Sequence, residues 1–237
     1  VLAYDGSAFY GFQSQKSASK TVSETVRKAL HRLGITAPPV GSGRTDRGVH
    51  ATGQVVHFDL PAHWQNDRLK LKVMLNRLLE PHIQFKHISP VADSFHARFD
   101  ARRRIYRYVI KRHQPTPFEA RYCRHLQDLD EERLLDALRL FEGEHDFLHF
   151  HKRGSDPKST VRTIYRTGLF TFGSYNIILF EANGFLRAQV RMMLESSVMA
   201  MRGELRHGDI RDQLNGKKIF TPPLAPPQGL YLSRVIY

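Results

Sequence analysis

The sequence holds a single cysteine, Cys123, among 237 residues. That excludes an internal disulfide and any cysteine-rich metal site. No apolar run approaches the ~18 residues needed to span a bilayer, and no charged-then-apolar signal opens the chain. A basic amphipathic helix and a lipidation motif are missing as well. These absences predict a cytoplasmic protein that does not associate with membranes. Neither an HExxH motif nor the paired carboxylates of a nuclease occurs, and no Gly-Lys-Ser/Thr closes a phosphate-binding loop. Acid is scarce beside base: 23 Asp and Glu stand against 36 Lys and Arg, a formal net charge of +13. Such a balance favours a polyanionic partner held through phosphate contacts and counterion release. Hydrophobic residues, at 41%, are frequent enough for a packed core and argue against disorder.

Periodicity supplies the elements. Residues 1–5 read as a strand, and Val22, Val26, Ala29, Leu30 and Leu33 recur at helical spacing before a stop at Gly34. A strand is expected over 54–60, a helix over 67–79 ended by Pro81, and a strand over 83–88. The order strand–helix–strand–strand–helix–strand is ferredoxin-like. A looser repeat follows: a strand over 98–111, a helix over 130–141, a hairpin turning at Gly173-Ser174, a helix over 185–201 and a closing strand over 229–235. Residues 221–227 read as a stiff, proline-rich connector. The expected class is α+β: two ferredoxin-like (split βαβ) halves, 1–93 and 94–237, with mixed or antiparallel sheets and a cleft between them.

The densest chemical signal is Gly41-Ser42-Gly43-Arg44-Thr45-Asp46-Arg47-Gly48-Val49-His50-Ala51-Thr52-Gly53. Its glycines permit backbone turns that other residues resist. A carboxylate flanked by arginines suits a nucleophile; the plainer reading is an Asp that ties a turn. A second signal runs from Arg98 to Arg112, basic residues interleaved with tyrosines. As a strand it places Arg102, Arg104, Tyr106 and Tyr108 on one face, suited to phosphates and a stacked base. The plainer reading is an edge strand protected by its arginines. In the third segment, Gly184 to Glu195, Arg187, Arg191 and Glu195 follow one another at i, i+4, as an ordinary charged helical face would. His145, His149 and His151 with Asp146 are the metal candidate, on a short irregular segment, and no metal site is expected.

The segment Gly43-Arg44-Thr45-Asp46-Arg47-Gly48-Val49-His50-Ala51 resembles the TruA family of tRNA pseudouridine synthases. Further landmarks keep that family's order: Tyr4-Asp5-Gly6-Ser7, Gly11-Phe12-Gln13-Ser14-Gln15, Phe95 to Phe99, Tyr106-Arg107-Tyr108, Gly143 to Phe147, Arg162-Thr163-Ile164, Phe185 to Arg191 and Ala225 to Leu232. The resemblance implies an isomerase acting on uridines 38, 39 and/or 40 of the tRNA anticodon arm, working as a homodimer without cofactor or metal. It implies Asp46 as catalytic carboxylate, Tyr106 as the aromatic that stacks on the flipped-out base, and Arg191 as the basic partner of the Asp. Arg44 is expected to contact RNA, with Arg47, His50, Arg102, Arg104 and Leu230 as further substrate-binding candidates. The chain departs from the family pattern at Arg47, at Ala188-Gln189 and at Glu195. Two other classes compete: a non-catalytic RNA-binding protein, and a metal-dependent nuclease built on Asp46 and the histidines.

Overall fold

In the computed structural model, which describes residues 1–14, 20–152, 154 and 157–237, the chain divides into two units. One comprises Val1–Arg102 with Tyr231–Tyr237, the other Arg103–Leu230. Gln15 of the opening motif lies outside the described residues. The sequence places the division at 93/94 and assigns the whole C-terminus to the second half. The final residues instead join the first unit, where Tyr231 and Leu232 pair in parallel with His50 and Ala51. Residues 94–102 stay with them: the Arg102 amide donates to the Ile236 carbonyl at 2.8 Å, and the Tyr237 hydroxyl to the Ala97 carbonyl at 2.8 Å.

The first unit follows the expected element order. Strand β1 (Leu2–Tyr4) leads to helix α1 (Val22–Arg32), which Thr21 caps by accepting the Glu24 amide. Val22, Val26, Ala29 and Leu30 form the buried stripe of α1, and Gly34, at φ 75°, ends the helix beyond Leu33. Strands β2 (Val40–Gly41), β3 (His50–Gln54) and β4 (Val56–His57) follow, then the short helix α2 (Ala62–Gln65). Asp67 caps α3 (Arg68–Leu79), whose Leu71, Leu75 and Leu79 are buried, and β5 (Ile83–Phe85) closes the run. The unit's strands lie in the order β5-β1-β3, with the C-terminal strand β11 (Leu230–Ile236) beside β3. The β1 pairings are antiparallel and that of β3 with β11 is parallel, so the sheet is mixed. The single strand expected over 54–60 is replaced by β3 and β4. After β3, where Gln54 Oε1 accepts the Ser42 hydroxyl at 2.7 Å, β4 pairs with β2 instead of continuing the β1–β3 ladder.

The second unit carries β6 (Arg103–Lys111), β7 (Arg124–His125), α4 (Glu131–Arg139), β8 (Gly143–Asp146), β9 (Val161–Phe172), β10 (Tyr175–Ala182), α5 (Gln189–Met201) and α6 (His207–Leu214). Its sheet runs β6-β10-β9-β8, antiparallel throughout, and β7 adds a short parallel edge to β6. The predicted hairpin is β9–β10, with Tyr175 opposite Phe172 across the turn. Strand β6 starts later than the sequence suggests, because His96 Nδ1 accepts the Arg98 and Phe99 amides and holds residues 96–99 in a turn. Leu134, Ala137 and Leu138 of α4 are buried, as are Val190, Met193, Leu194 and Val198 of α5. Among the described residues no helix is long and apolar enough to cross a membrane.

Candidate active site

In the first unit, Asp46 sits at a half-buried point of the loop joining β2 to β3. Both flanks of that loop are fixed. Upstream, the Gln54 side-chain amide donates to the Gly43 carbonyl at 2.9 Å. Next to Asp46, buried Thr45 shares a hydrogen bond of 2.9 Å with the Tyr4 hydroxyl, and its carbonyl accepts the Phe12 amide at 3.1 Å. Burial pushes the Tyr4 phenol up to about 12, so it remains protonated and holds this bond across the neutral range. Downstream, the Val49 amide donates to the Asp46 carbonyl at 3.1 Å, closing a turn that needs Gly48 at φ 78°.

The opening segment keys into this loop by backbone contact. A Cβ on Gly6 would lie 2.0 Å from the Val49 carbonyl oxygen, and one on Gly11 would lie 2.9 Å from the Thr45 carbonyl oxygen. Only glycine permits such approach. His50 completes the junction: its Nδ1 accepts the Gly6 amide at 3.0 Å, and its ring stacks on Tyr231 with centroids 4.8 Å apart. His50 is 2% exposed, which makes it a packing residue in this unit. Arg44 and Arg47 are exposed. Arg47 lies over the Tyr10 ring, 4.5 Å from its centroid, an aromatic support that sequence reading overlooks. The loop therefore presents one carboxylate and two cations on a rigid base.

In the second unit, Arg104, Tyr106 and Tyr108 share one face of β6, as alternation requires. Tyr106 is 7% exposed and meets Phe185 edge-on, with centroids 5.2 Å apart at 88°. Tyr108 is fully buried, its hydroxyl donating to the Pro226 carbonyl at 2.9 Å, so this tyrosine anchors the connector rather than offering a platform for a base. Arg102 precedes the strand and is exposed, and Leu230 is buried at the start of β11. Arg191, on α5, donates from Nε to the Ala225 carbonyl at 2.7 Å, while the Ala225 amide donates back to the Arg191 carbonyl at 3.2 Å. The proline-rich connector thus sets the direction of the Arg191 side chain.

Helix α5 begins at Gln189 rather than near residue 185, because Ala188 adopts φ 58°. The departures from the family pattern have local explanations. Buried Gln189 accepts the Leu186 amide on Oε1 at 2.8 Å, bracing the turn before the helix. Glu195 is not part of an exposed charged face. It pairs with both terminal nitrogens of Arg124, at 2.6 and 3.0 Å, with both side chains nearly buried. Arg187 falls outside the helix, so the expected i, i+4 row does not form. His145 Nε2 donates to the Glu142 carbonyl at 2.9 Å. Among the described residues no group of three or more His, Cys, Asp or Glu side chains is arranged to hold a metal ion.

Comparison with known proteins agrees with these landmarks. A family model described as tRNA pseudouridine synthase matches residues 1–100 and 137–237, which include Asp46 and Arg191 but not Tyr106. The tRNA pseudouridine synthase A of Helicobacter hepaticus is 42% identical over 243 residues, covering 100% of this chain and 97% of the relative. That of Wolinella succinogenes is 39% identical over 236 residues, covering 100% of the chain and 92% of the relative. For the Helicobacter pylori protein of the same description the identity is 38% over 246 residues, covering 100% and 98%. Similarity that runs unbroken through both units, at this level and at matching length, means that the chain belongs to the tRNA pseudouridine synthase family.

Proposed function

We propose that this enzyme isomerises uridine to pseudouridine at positions 38, 39 and/or 40 of the tRNA anticodon arm, with Asp46 as the group that starts the reaction. The observation that carries the reading is the Asp46 loop itself: a family motif braced on both sides of one carboxylate and flanked by exposed arginines. The net charge of +13 supports a polyanionic substrate.

The reaction breaks the bond from the ribose to a base nitrogen, turns the base, and rejoins it through carbon. Atoms balance without a co-reactant: a proton leaves the carbon that joins the ribose, and one is gained at the released nitrogen. The uridine has to leave its stack, at a cost of a few kcal/mol. Tyr106 offsets part of that cost by stacking on the base, and Arg191 holds the Asp46 carboxylate aligned. Arg44, Arg47, Arg102 and Arg104 contact the RNA, with His50 and Leu230 shaping the surfaces they stand on. Two copies act as a homodimer on the bulky arm, in the cytoplasm.

The test uses unmodified tRNA transcript, wild type and Asp46→Ala, in EDTA. Pseudouridine is mapped by carbodiimide labelling and primer extension. The expected result is product in the anticodon arm from wild type only, with tRNA binding retained by Asp46→Ala. Product from the variant at the wild-type rate removes Asp46 from its role. A shortened RNA, or activity lost in EDTA, moves the assignment to a nuclease.

A further inference from the structure

Arg191 and Glu195 stand one turn apart on α5, and their contacts close a ring within the second unit. Glu195 pairs with Arg124, on β7, at 2.6 and 3.0 Å. Arg124 lies opposite Ile110 in the β6–β7 pairing, on the face of β6 that also carries Tyr108. Its guanidinium comes within hydrogen-bonding reach of the Tyr108 phenol. The Tyr108 hydroxyl donates to the Pro226 carbonyl at 2.9 Å, and the carbonyl of the preceding residue, Ala225, accepts Arg191 Nε at 2.7 Å. The path thus leaves α5 at Glu195 and returns to it at Arg191.

Each link has a direction. A guanidinium carries no acceptor, so Arg124 donates to the phenol oxygen, and the phenol's own hydrogen is left for Pro226. Burial above all pushes the Tyr108 phenol up from its ordinary value, so that hydrogen is kept throughout the neutral range. The ring itself is seated: a Cβ on Gly229, three residues beyond Pro226, would lie 2.8 Å from Tyr108 Cζ and 2.9 Å from the Val109 carbonyl oxygen. Pro226 holds φ at −52° and its ring restricts Ala225, so fixing the Pro226 carbonyl also fixes that of Ala225. A guanidinium that gives its Nε–H to the connector meets a carboxylate with its two Nη groups, so the bond to Ala225 sets which fork Arg191 presents. A buried ion pair adds little stability over apolar groups of the same shape. What Arg124 and Glu195 supply is direction, since apolar side chains could not orient the phenol.

We propose that Tyr108, Arg124 and Glu195 are positioning residues for Arg191, acting through the Ala225 and Pro226 carbonyls of the connector. The inference rests on the reading above in which Arg191 holds the Asp46 carboxylate aligned, and it adds the three residues that aim Arg191.

The test reads position and rate separately. Position is read from the exchange of the Arg191 Nε–H with water in 15N-labelled protein, its signal assigned by its loss in Arg191→Ala. Rate is single-turnover pseudouridine formation at saturating tRNA. Tyr108→Phe is expected to speed the exchange and to lower the rate by roughly 10–100-fold, the effect of displacing a reacting group by up to about 1 Å, while tRNA affinity stays at the wild-type value. In the Arg191→Ala background the same substitution is expected to cost no further rate, because its effect passes through Arg191. The double variant Arg124→Met with Glu195→Leu is expected to melt within about 4 °C of wild type yet show the faster exchange and lower rate of Tyr108→Phe. Tyr175→Phe is the control. It removes a phenol hydrogen bond of the same kind, to Glu119 at 2.6 Å, and is expected to leave exchange and rate unchanged. Unchanged exchange in Tyr108→Phe overturns the proposal, as does a full further loss of rate in the Arg191→Ala background. Faster exchange in Tyr108→Phe beside an intact rate in Arg191→Ala upholds the positioning and rejects the role given to Arg191.

Discussion

Replacing Gly6 by alanine tests whether the Asp46 loop owes its position to backbone contact. The new Cβ would stand 2.0 Å from the Val49 carbonyl oxygen, 2.3 Å from its carbon and 2.9 Å from the His50 nitrogen. Favourable contact lies near ~3.5 Å, so the two segments have to part by roughly 1.5 Å. No flexible side chain absorbs the change, since every close atom is main chain. The Gly6 amide would also move away from His50 Nδ1, now 3.0 Å distant. Val49 transmits the shift, because its amide closes the turn on the Asp46 carbonyl. Forced overpacking of this kind costs about 1–3 kcal/mol, which for a chain of this size lowers the melting midpoint by roughly 2–12 °C. The effect on rate is larger, since a displacement near 1 Å at a reacting group costs about 100-fold. Thermal melts and single-turnover pseudouridine formation at saturating tRNA measure the two separately. Gly208→Ala is the control: its Cβ meets nothing within 4 Å on α6, and helix propensity predicts a gain of up to about 1 kcal/mol. A Gly6→Ala protein that melts and turns over like wild type refutes the reasoning, because the loop would then be positioned without that contact.

Arg191→Ala is expected to lower kcat by roughly 100-fold or more while KM for tRNA changes little; an intact kcat assigns the side chain to the connector alone. Glu195→Ala strands the nearly buried Arg124 charge and should cost about 3–5 kcal/mol in urea unfolding. The double variant Arg124→Met with Glu195→Leu should recover to within about 1 kcal/mol of wild type, and failure to recover means the pair specifies more than packing. His57 accepts the Ala97 amide on Nδ1 at 3.1 Å, and burial, then the neighbouring His96, hold its pKa below the ordinary 6.5. Protonation therefore favours the unfolded chain, so stability present above pH 6.5 is lost as pH falls from 6.5 through the lowered folded value. Melts at about pH 7.5 and 5.5 should show a smaller loss for His57→Asn than for wild type, and equal losses place the acid sensitivity elsewhere.

The sequence reading and the structure part company where a side chain answers to something distant. Helices α1, α3 and α4 were legible because each carries its own instructions: Thr21, Asp67 and Asp130 as caps, and leucines or valines at helical spacing. The hairpin was legible for the same reason, its turn lying between two alternating runs. Helix α5 was legible to its last residue but not at its start, because Ala188 takes a left-handed conformation for which alanine gives no cue, and the turn is braced by Gln189, a residue that looks ordinary in the chain. Strand β11 joins the first unit through pairing with β3, a partnership set by neither sequence separation nor composition. Glu195 looks like a surface residue until Arg124, 71 positions away, is found bonded to it.

Glycine gives the sharpest case of the same rule. Within the Asp46 loop, glycines signal conformational freedom, and Gly48 uses it at φ 78°. Yet the closest approaches to that loop are made by Gly6 and Gly11, on a segment that is far away in the chain. There the requirement is space for another backbone, and Gly6 needs it without a left-handed conformation. A glycine therefore marks two different demands in this chain: a turn and a backbone contact. Only the first is readable from neighbouring residues, because the second is set by what the fold brings against the position.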